Sequence, residues 1–152
     1  MLNSLDDFDR AILRSVQMDN QKTHAMLGEE IGLSGSAVRR RLADLRASGI
    51  ITSDVSLVDG SDLGVTLIIQ LSFDTDTPEA YDEFDLAMRS LPNVKQSYHV
   101  SGSVDYVLIV QGESLPWYEE WAKQHLMSNS NIKRHDTSVV WSCKKFNTAL
   151  PI

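Results

Sequence analysis

Apolar residues in the first 50 positions recur at helical spacing. Phe8, Ile12, Leu13 and Val16 form one stripe, which predicts a first amphipathic helix. The acidic stretch SLDD before this stripe offers Ser4 as an N-cap. The chain therefore begins with a helix that buries one face.

Two further helices follow the first. A shorter helix is predicted over 23–31, ending at Gly32, since glycine is a common helix terminator. A third begins after Ser34 and ends before Gly49, which is placed to take a left-handed cap. The apolar stripe of this third helix contains Val38, Leu42 and Leu45. Three helices with a tight turn between the last two fit a helix-turn-helix unit.

From Ile50 onward the pattern becomes typical of strands. Residues 50–59 predict a strand that leads away from the third helix. Four more strands are predicted at 65–73, 94–100, 104–110 and 132–141. Helical patterns at 78–91 and 115–127 separate the first of these from the second and the third from the fourth. The order is therefore βαββαβ.

This order predicts a ferredoxin-like domain, in which two helices cover one face of an antiparallel sheet. We interpret the chain as an α+β protein with a winged helix-turn-helix domain at 1–50, a hinge strand or linker at 51–63 and the ferredoxin-like domain at 64–152. Because two helices leave the other sheet face bare, we expect a partner subunit to bury that face.

Composition indicates a globular protein that is not basic. The 152 residues are 42% hydrophobic, which is enough for a core, and the formal net charge is −7. Residues 1–60 carry seven basic and nine acidic residues, and residues 61–152 carry seven and twelve, so neither part is basic. The single cysteine, Cys143, excludes an intrachain disulfide. With no signal-peptide pattern and no apolar run near the roughly 20 residues of a membrane span, we expect a cytoplasmic protein.

Positive charge is nevertheless concentrated in the third helix, at Arg39, Arg40 and Arg41. At about 100° per residue, Ser36 and Arg40 point away from the apolar stripe and are placed for base edges in a major groove. Arg39 is placed for a phosphate or a second base, and Arg41, close to the stripe, is interpreted as partly structural and partly directed to the DNA backbone. With Ser34 at the start of the helix, the predicted DNA contacts are Ser34, Ser36, Arg39, Arg40 and Arg41. An isolated run of arginines is more often a solvated helix face. Its place on the second helix of a tight pair favours DNA binding.

Four separated stretches carry a family resemblance. They are LDDFDRAIL (5–13), LGEEIGLSGSAVRRRLADLRASGII (27–51), VSGSVDYVLIV (100–110) and KKFNTALP (144–151). Together they resemble the leucine-responsive and asparagine regulators, the Lrp/AsnC or feast/famine family. The resemblance implies an N-terminal DNA-binding domain and a C-terminal domain that senses a ligand, dimerises and often forms higher assemblies such as octamers. The chain departs from the family at Gly28, where alanine is usual, and at Ser103 and Val104, where the loop often has aspartate and an aromatic residue.

The resemblance also implies an effector site near the loop at 100–105, between subunits. Its candidate contacts are Ser101, Gly102, Asp105, Thr137 and Ser138. These groups suit an amino acid, because a carboxylate receives an ammonium group, while backbone N–H groups and hydroxyls hold a carboxylate. Alternatively, SGSVD is simply a tight turn that Asp105 caps. Tyr98 and His99 adjoin the loop, but strand alternation sends them to opposite faces.

No catalytic, cofactor or metal site is indicated. The histidines at 24, 99, 125 and 135 lack metal-ligand spacing. Trp117 and Trp121 share a helix face and are predicted to be core or dimer contacts.

Two other functions stay open. Certain siroheme decarboxylases resemble the same two-domain family, and a bound tetrapyrrole would give the protein a bright absorption band. A protein that organises DNA without sensing a ligand would not be stabilised by any amino acid. A true ligand at 100 times its Kd stabilises the folded state by about 2.7 kcal/mol.

Overall fold

The structure, a computed structural model, describes residues 5–60, 62–75 and 77–152, and the chain divides into two compact units. The helical unit comprises Met1–Val58 together with Lys145–Ile152, and the sheet unit comprises Asp59–Lys144. This division differs from the predicted boundaries, which assigned all of 64–152 to the ferredoxin-like domain. The final residues group instead with the helices.

The helical unit contains three helices. They are α1 (Asp7–Met18), α2 (His24–Ile31) and α3 (Gly35–Ala47). Each begins after a residue whose side chain accepts a backbone N–H of the first turn, namely Asp6, Thr23 and Ser34. Asp6 and Asp9 form a reciprocal capping box on α1. The predicted N-cap, Ser4, lies outside the described residues.

Among the described residues no strand forms between α3 and residue 65, so neither the strand predicted at 50–59 nor a wing is present there. Residues 52–60 have no regular secondary structure, and the apolar Val55 and Leu57 are exposed. A strand needs a neighbour to pair with, and the described residues supply none for this segment. Ile50 and Ile51 instead pack against the core of the helical unit.

The sheet unit has the predicted βαββαβ order. Its elements are β1 (Val65–Phe73), α4 (Pro78–Ser90), β2 (Val94–His99), β3 (Tyr106–Gly112), α5 (Leu115–Ala122) and β4 (Ile132–Val139). The antiparallel sheet has the strand order β2-β3-β1-β4, and α5 continues as a π-helical turn at Lys123–Met127. None of the helices in the described residues is both long and apolar enough to cross a membrane.

The two helices cover one face of the sheet, as predicted. Leu67, Ile69 and Leu71 of β1 are fully buried in the core that α4 and α5 share with the sheet. Between them, Ile68 is only half-buried, and Gln70 is exposed. In β3, too, buried residues alternate with half-buried ones. The second face of the sheet is therefore not covered by the described residues of one chain, and we call it the open face.

Candidate DNA interface and effector site

The turn between α2 and α3 packs closely on Gly28. The Leu33 N–H donates to the Gly28 carbonyl oxygen at 2.9 Å, and a Cβ at residue 28 would lie 2.4 Å from the Leu33 carbonyl oxygen. Gly32 ends α2 with a φ of 77°, in the left-handed region that favours glycine. Main-chain contacts thus fix the place at which α3 begins.

The apolar and the basic residues of α3 lie on different sides of the helix. Val38, Leu42 and Leu45 are buried, as predicted. Arg39 and Arg40 are exposed, and in the described part of the chain neither has an ion-pair or hydrogen-bond partner. These two guanidinium groups are therefore free to meet an anionic partner.

Arg41 has a different environment. Its Nη1 donates to Asp6 Oδ2 and to Asp9 Oδ1, each at 2.7 Å, and its guanidinium carbon lies 5.4 Å from the centre of the Phe8 ring. Hydrogen bonds from Arg41 to Asp9 and Asp6 raise the pKa of Arg41. The pKa of Asp6 is lowered, mainly by the Asp9 backbone N–H and further by Arg41. Arg41 therefore joins α3 to α1, in agreement with its predicted structural role.

The two serines at the start of α3 are linked to each other. The Ser34 hydroxyl accepts the Ala37 N–H at 3.2 Å, and it lies 3.1 Å from the Ser36 hydroxyl. Ser34 is thus engaged as the N-cap, whereas Ser36 is exposed on the same helix as Arg40. All five predicted DNA contacts lie at the start of α3 or within it. Within the described residues Arg39 and Arg40 have no partner, whereas Ser34, Ser36 and Arg41 make hydrogen bonds inside the protein.

The loop between β2 and β3 is held to β1 by Asp105. The Asp105 N–H donates to the Leu71 carbonyl oxygen at 2.8 Å, and Asp105 Oδ2 accepts the Phe73 N–H at 2.7 Å. Gly102, at the exposed tip, has a φ of 148°. Asp105 therefore anchors the loop through Oδ2, while Oδ1 has no hydrogen bond within the described residues.

The residues before this loop alternate as predicted. Tyr98 lies opposite Val107 on the open face and is half exposed. His99 lies opposite Tyr106, and their rings stack with centroids 4.9 Å apart. Burial, followed by the hydrogen bond to Asp85, raises the pKa of Tyr106. Of the two, Tyr98 alone lies on the face available to a partner.

Thr137 and Ser138 lie on opposite faces of β4. Thr137 is opposite Ile69, on the face covered by helices, where its hydroxyl is hydrogen-bonded to the Tyr118 hydroxyl. Ser138 is opposite Ile68, on the open face. β1 lies between β4 and β3 in the sheet. These residues are therefore two strand spacings, together about 10 Å, from β3. A single chain therefore does not gather the five candidate effector residues into one pocket.

Other features of the sequence have structural roles. Trp121 is buried, and its ring lies 6.0 Å from that of Trp117, in agreement with a core role. The described residues contain no group of three or more His, Cys, Asp or Glu side chains that could hold a metal ion. The acids that hold Arg41 were not predicted, although Asp6 and Asp9 are spaced three residues apart at the start of a helix, as a capping box requires.

Two family models match the chain. Residues 5–46 match the AsnC-type helix-turn-helix domain, and residues 66–150 match the Lrp/AsnC ligand binding domain. The two matches together extend over most of the chain and follow the same order as its two predicted domains.

Named relatives extend over nearly the full length. The HTH-type transcriptional regulator y4tD of Sinorhizobium fredii is 36% identical over 150 residues, which are 97% of this chain and 89% of the relative. The glutamate uptake regulatory protein of Zymomonas mobilis is 33% identical over 156 residues, which cover 100% of this chain and 93% of the relative.

Solved structures agree with the fold. A transcriptional regulator of Neisseria meningitidis, crystallised in complex with L-Met, has a TM-score of 0.89 at 27% identity, with 97% of each chain covered. An AsnC family transcriptional regulator from Agrobacterium tumefaciens has a TM-score of 0.89 at 28% identity, also with 97% of each chain covered.

Proposed function

Since the chain belongs to the Lrp/AsnC family, it is a ligand-responsive, DNA-binding transcriptional regulator, and we propose that Arg39 and Arg40 contact DNA while the loop at Asp105 helps to hold an amino-acid effector. Its relatives are regulators, and the proposal includes no enzymatic reaction. A cytoplasmic location, where DNA and free amino acids are both present, belongs to the same proposal.

The DNA-binding role rests on the two exposed arginines of α3 that lack partners in the described residues. Guanidinium groups make paired hydrogen bonds to the major-groove edge of guanine, and they also neutralise phosphates. The chain is acidic as a whole, so a DNA contact elsewhere on its surface would meet repulsion. Arg40 is proposed for a base contact and Arg39 for a phosphate.

The operator can be found by selecting bound duplexes from a random-sequence pool. Gel-shift titrations at two salt concentrations then separate base from phosphate contacts, because phosphate contacts release counterions. Arg39→Ala should weaken binding to every duplex and flatten the salt dependence. If Arg39→Ala and Arg40→Ala both bind DNA with unchanged affinity, the proposal that α3 contacts DNA is wrong.

The effector role is proposed for the free oxygen of Asp105. Its Oδ2 is engaged with the Phe73 N–H, while Oδ1 is available for an ammonium group, and Ser101 and Gly102 belong to the same loop. Thr137 and Ser138 belong to the site only if a second subunit brings β4 near the loop. The L-Met bound to the Neisseria relative supports an amino acid as the class of ligand.

A thermal-shift screen of the 20 amino acids identifies the effector, and calorimetry compares wild type with Asp105→Asn. Asparagine keeps an oxygen that can accept the Phe73 N–H, so the loop should stay in place. Affinity should nevertheless fall, because an amide attracts ammonium less than a carboxylate does. If the affinities are equal, Asp105 is a turn cap alone; if no amino acid binds, the effector class is wrong.

A homodimer through the open face is proposed, with association of dimers into a larger particle such as an octamer. Ile68, Val107 and Ile109 lie on this face and are only half-buried within one chain. Ile109→Glu places a charge there and should yield a monomer in sedimentation, while Leu86→Glu on the exposed side of α4 should not. A wild-type monomer at micromolar concentration would contradict the proposal.

A further inference from the structure

The last residues, Lys145–Ile152, follow β4 in sequence but belong to the helical unit. We call them the C-terminal strap. Ile152 is half-buried and packs against the core of the helical unit, which includes Leu13 of α1. Neither of the proposed sites uses this segment, so its placement needs another explanation.

Two side chains of α1 hold the main chain of the strap. The Leu150 N–H donates to Gln17 Oε1 at 2.6 Å, and Gln17 Nε2 donates to the Leu150 carbonyl oxygen at 3.3 Å. Arg14 Nη1 donates to the main-chain oxygen of Ile152 at 2.9 Å. Arg14 and Gln17 are three residues apart, so they lie on one side of α1. The two hydrogen bonds between the Gln17 amide and the Leu150 main chain resemble those of a residue pair in a β-sheet.

The strap also forms one wall of a groove of about 760 Å³, through Thr148, Leu150 and Ile152. The opposite walls include apolar residues of α1 and of the segment after α3, among them Leu13 and Ile50, together with polar residues at 19–21 and 52–54. Within the strap, Asn147 Oδ1 accepts the Ala149 N–H at 2.9 Å, which shapes the turn before Leu150. The two apolar residues that flank Pro151, Leu150 and Ile152, are therefore the strap side chains that face the groove together with Thr148.

We propose that the C-terminal strap binds the helical unit reversibly. When it is bound, Ile152 completes the apolar core beside α1, and when it is released, the three helices are less stable. Its attachment is small, because the three hydrogen bonds are exposed and Leu150 is 65% exposed. Segments with few buried contacts open locally at low free-energy cost. Since the strap is joined to β4 through residues 140–144, it gives the sheet unit a second chain connection to the helical unit.

The test uses the full chain and two spectroscopic signals. All three tryptophans, Trp117, Trp121 and Trp141, lie in the sheet unit, so tryptophan fluorescence reports that unit alone. Far-ultraviolet circular dichroism reports the helices of both units. Gln17→Ala and Ile152→Ala should each lower the melting temperature of the helical unit by about 4 °C or more and leave the fluorescence transition unchanged. Gln124→Ala, an exposed glutamine of the sheet unit, is the matched control.

Hydrogen exchange supplies a second measurement that does not depend on melting. In wild type the Leu150 amide should be protected by Gln17, and Gln17→Ala should accelerate its exchange about tenfold while Gln124→Ala leaves it unchanged. An unprotected Leu150 amide in wild type would overturn the proposal. So would strap variants that melt like wild type, or that shift both transitions equally. None of these outcomes depends on DNA or on an effector.

Discussion

The helical unit and the sheet unit bury different kinds of side chain. Among the described residues, the buried cluster of the helical unit is aliphatic and consists of Ile12, Leu13, Leu27, Val38, Leu42 and Leu45. The sheet unit has about twice as many buried residues, and these include Phe73, Phe84, Tyr106 and Trp121. A small aliphatic core leaves little stability in reserve. The helical unit therefore depends more on contacts at its margin, such as its caps, the Arg41 ion pairs and the C-terminal strap.

The sharpest test of this contrast is Phe84→Ala. Phe84 is 1% exposed, and its ring meets those of Phe73 and Tyr106 at centroid distances of 5.1 and 4.7 Å. Loss of this ring should destabilise the sheet unit by about 3 to 5 kcal/mol, as for other buried phenylalanines. Urea unfolding followed by tryptophan fluorescence measures the loss.

Leu86→Ala is the control for this variant, because Leu86 lies on the same helix and is 73% exposed. Its effect should remain within about 0.5 kcal/mol. If Phe84→Ala lowered the stability of both units equally, the two would unfold as one cooperative body, and the contrast would fail.

Arg40→Ala and Arg41→Ala separate recognition from support within one helix. Arg40→Ala should weaken specific DNA binding by about 1 to 3 kcal/mol and relax the preference at one or two base pairs, without changing the unfolding of the helical unit. Arg41→Ala should lower the stability of that unit, because it removes the link from α3 to Asp6 and Asp9. Gel shifts with the selected operator and urea titrations followed by circular dichroism measure both effects. Identical behaviour of the two variants would contradict this division.

Local pattern predicted much of the fold. The helical stripes and the strand alternation gave the helices to within a few residues, and β1 was predicted without error. The strand predicted at 50–59 was wrong because periodicity describes a segment's preference and not whether a neighbour is present to pair with it.

The sites were harder to predict because they depend on contacts distant in sequence. Helical geometry indicated that Arg41 lies near the apolar stripe, but its acidic partners are more than 30 residues away. Likewise, nothing in the local pattern indicates that Phe73 donates to Asp105, or that Gln17 holds Leu150. Such pairs are set by the packing of whole elements, which a one-dimensional pattern does not contain.

Gly28→Ala tests whether the turn of the helical unit is as tight as the structure indicates. Alanine usually favours a helix by up to about 1 kcal/mol, but here its Cβ would lie 2.4 Å from the Leu33 carbonyl oxygen. Because overpacking costs about 1 to 3 kcal/mol, we expect a net loss of about 1 kcal/mol, seen by circular dichroism and not by tryptophan fluorescence. Gly60→Ala is the control, since a Cβ at that residue meets nothing within 4 Å. A stabilised Gly28→Ala would show that the turn relaxes to accept a methyl group.

The smallest expected effect is a difference in acid sensitivity. Among the described residues of the helical unit, the pKa values of three carboxyl groups are lowered: Asp6 by the Asp9 backbone and Arg41, Glu30 by Lys22 and Ser15, and Asp54 by Arg46. Among those of the sheet unit, the hydrogen bond from Lys123 lowers the pKa of Glu119.

A carboxyl group whose folded pKa is depressed contributes stability above its unfolded pKa, and that stability is lost as the pH falls through the folded value. The ordinary values here are 3.8 for aspartate and 4.5 for glutamate, so the loss begins below about pH 4.5. Between pH 5 and pH 3 the circular-dichroism transition of the helical unit should therefore fall further than the fluorescence transition of the sheet unit. Asp6→Asn should reduce this difference, because the variant cannot lose a charge at that position. If the sheet unit melted first on acidification, the ion pairs at the margin of the helical unit would not be a source of its stability.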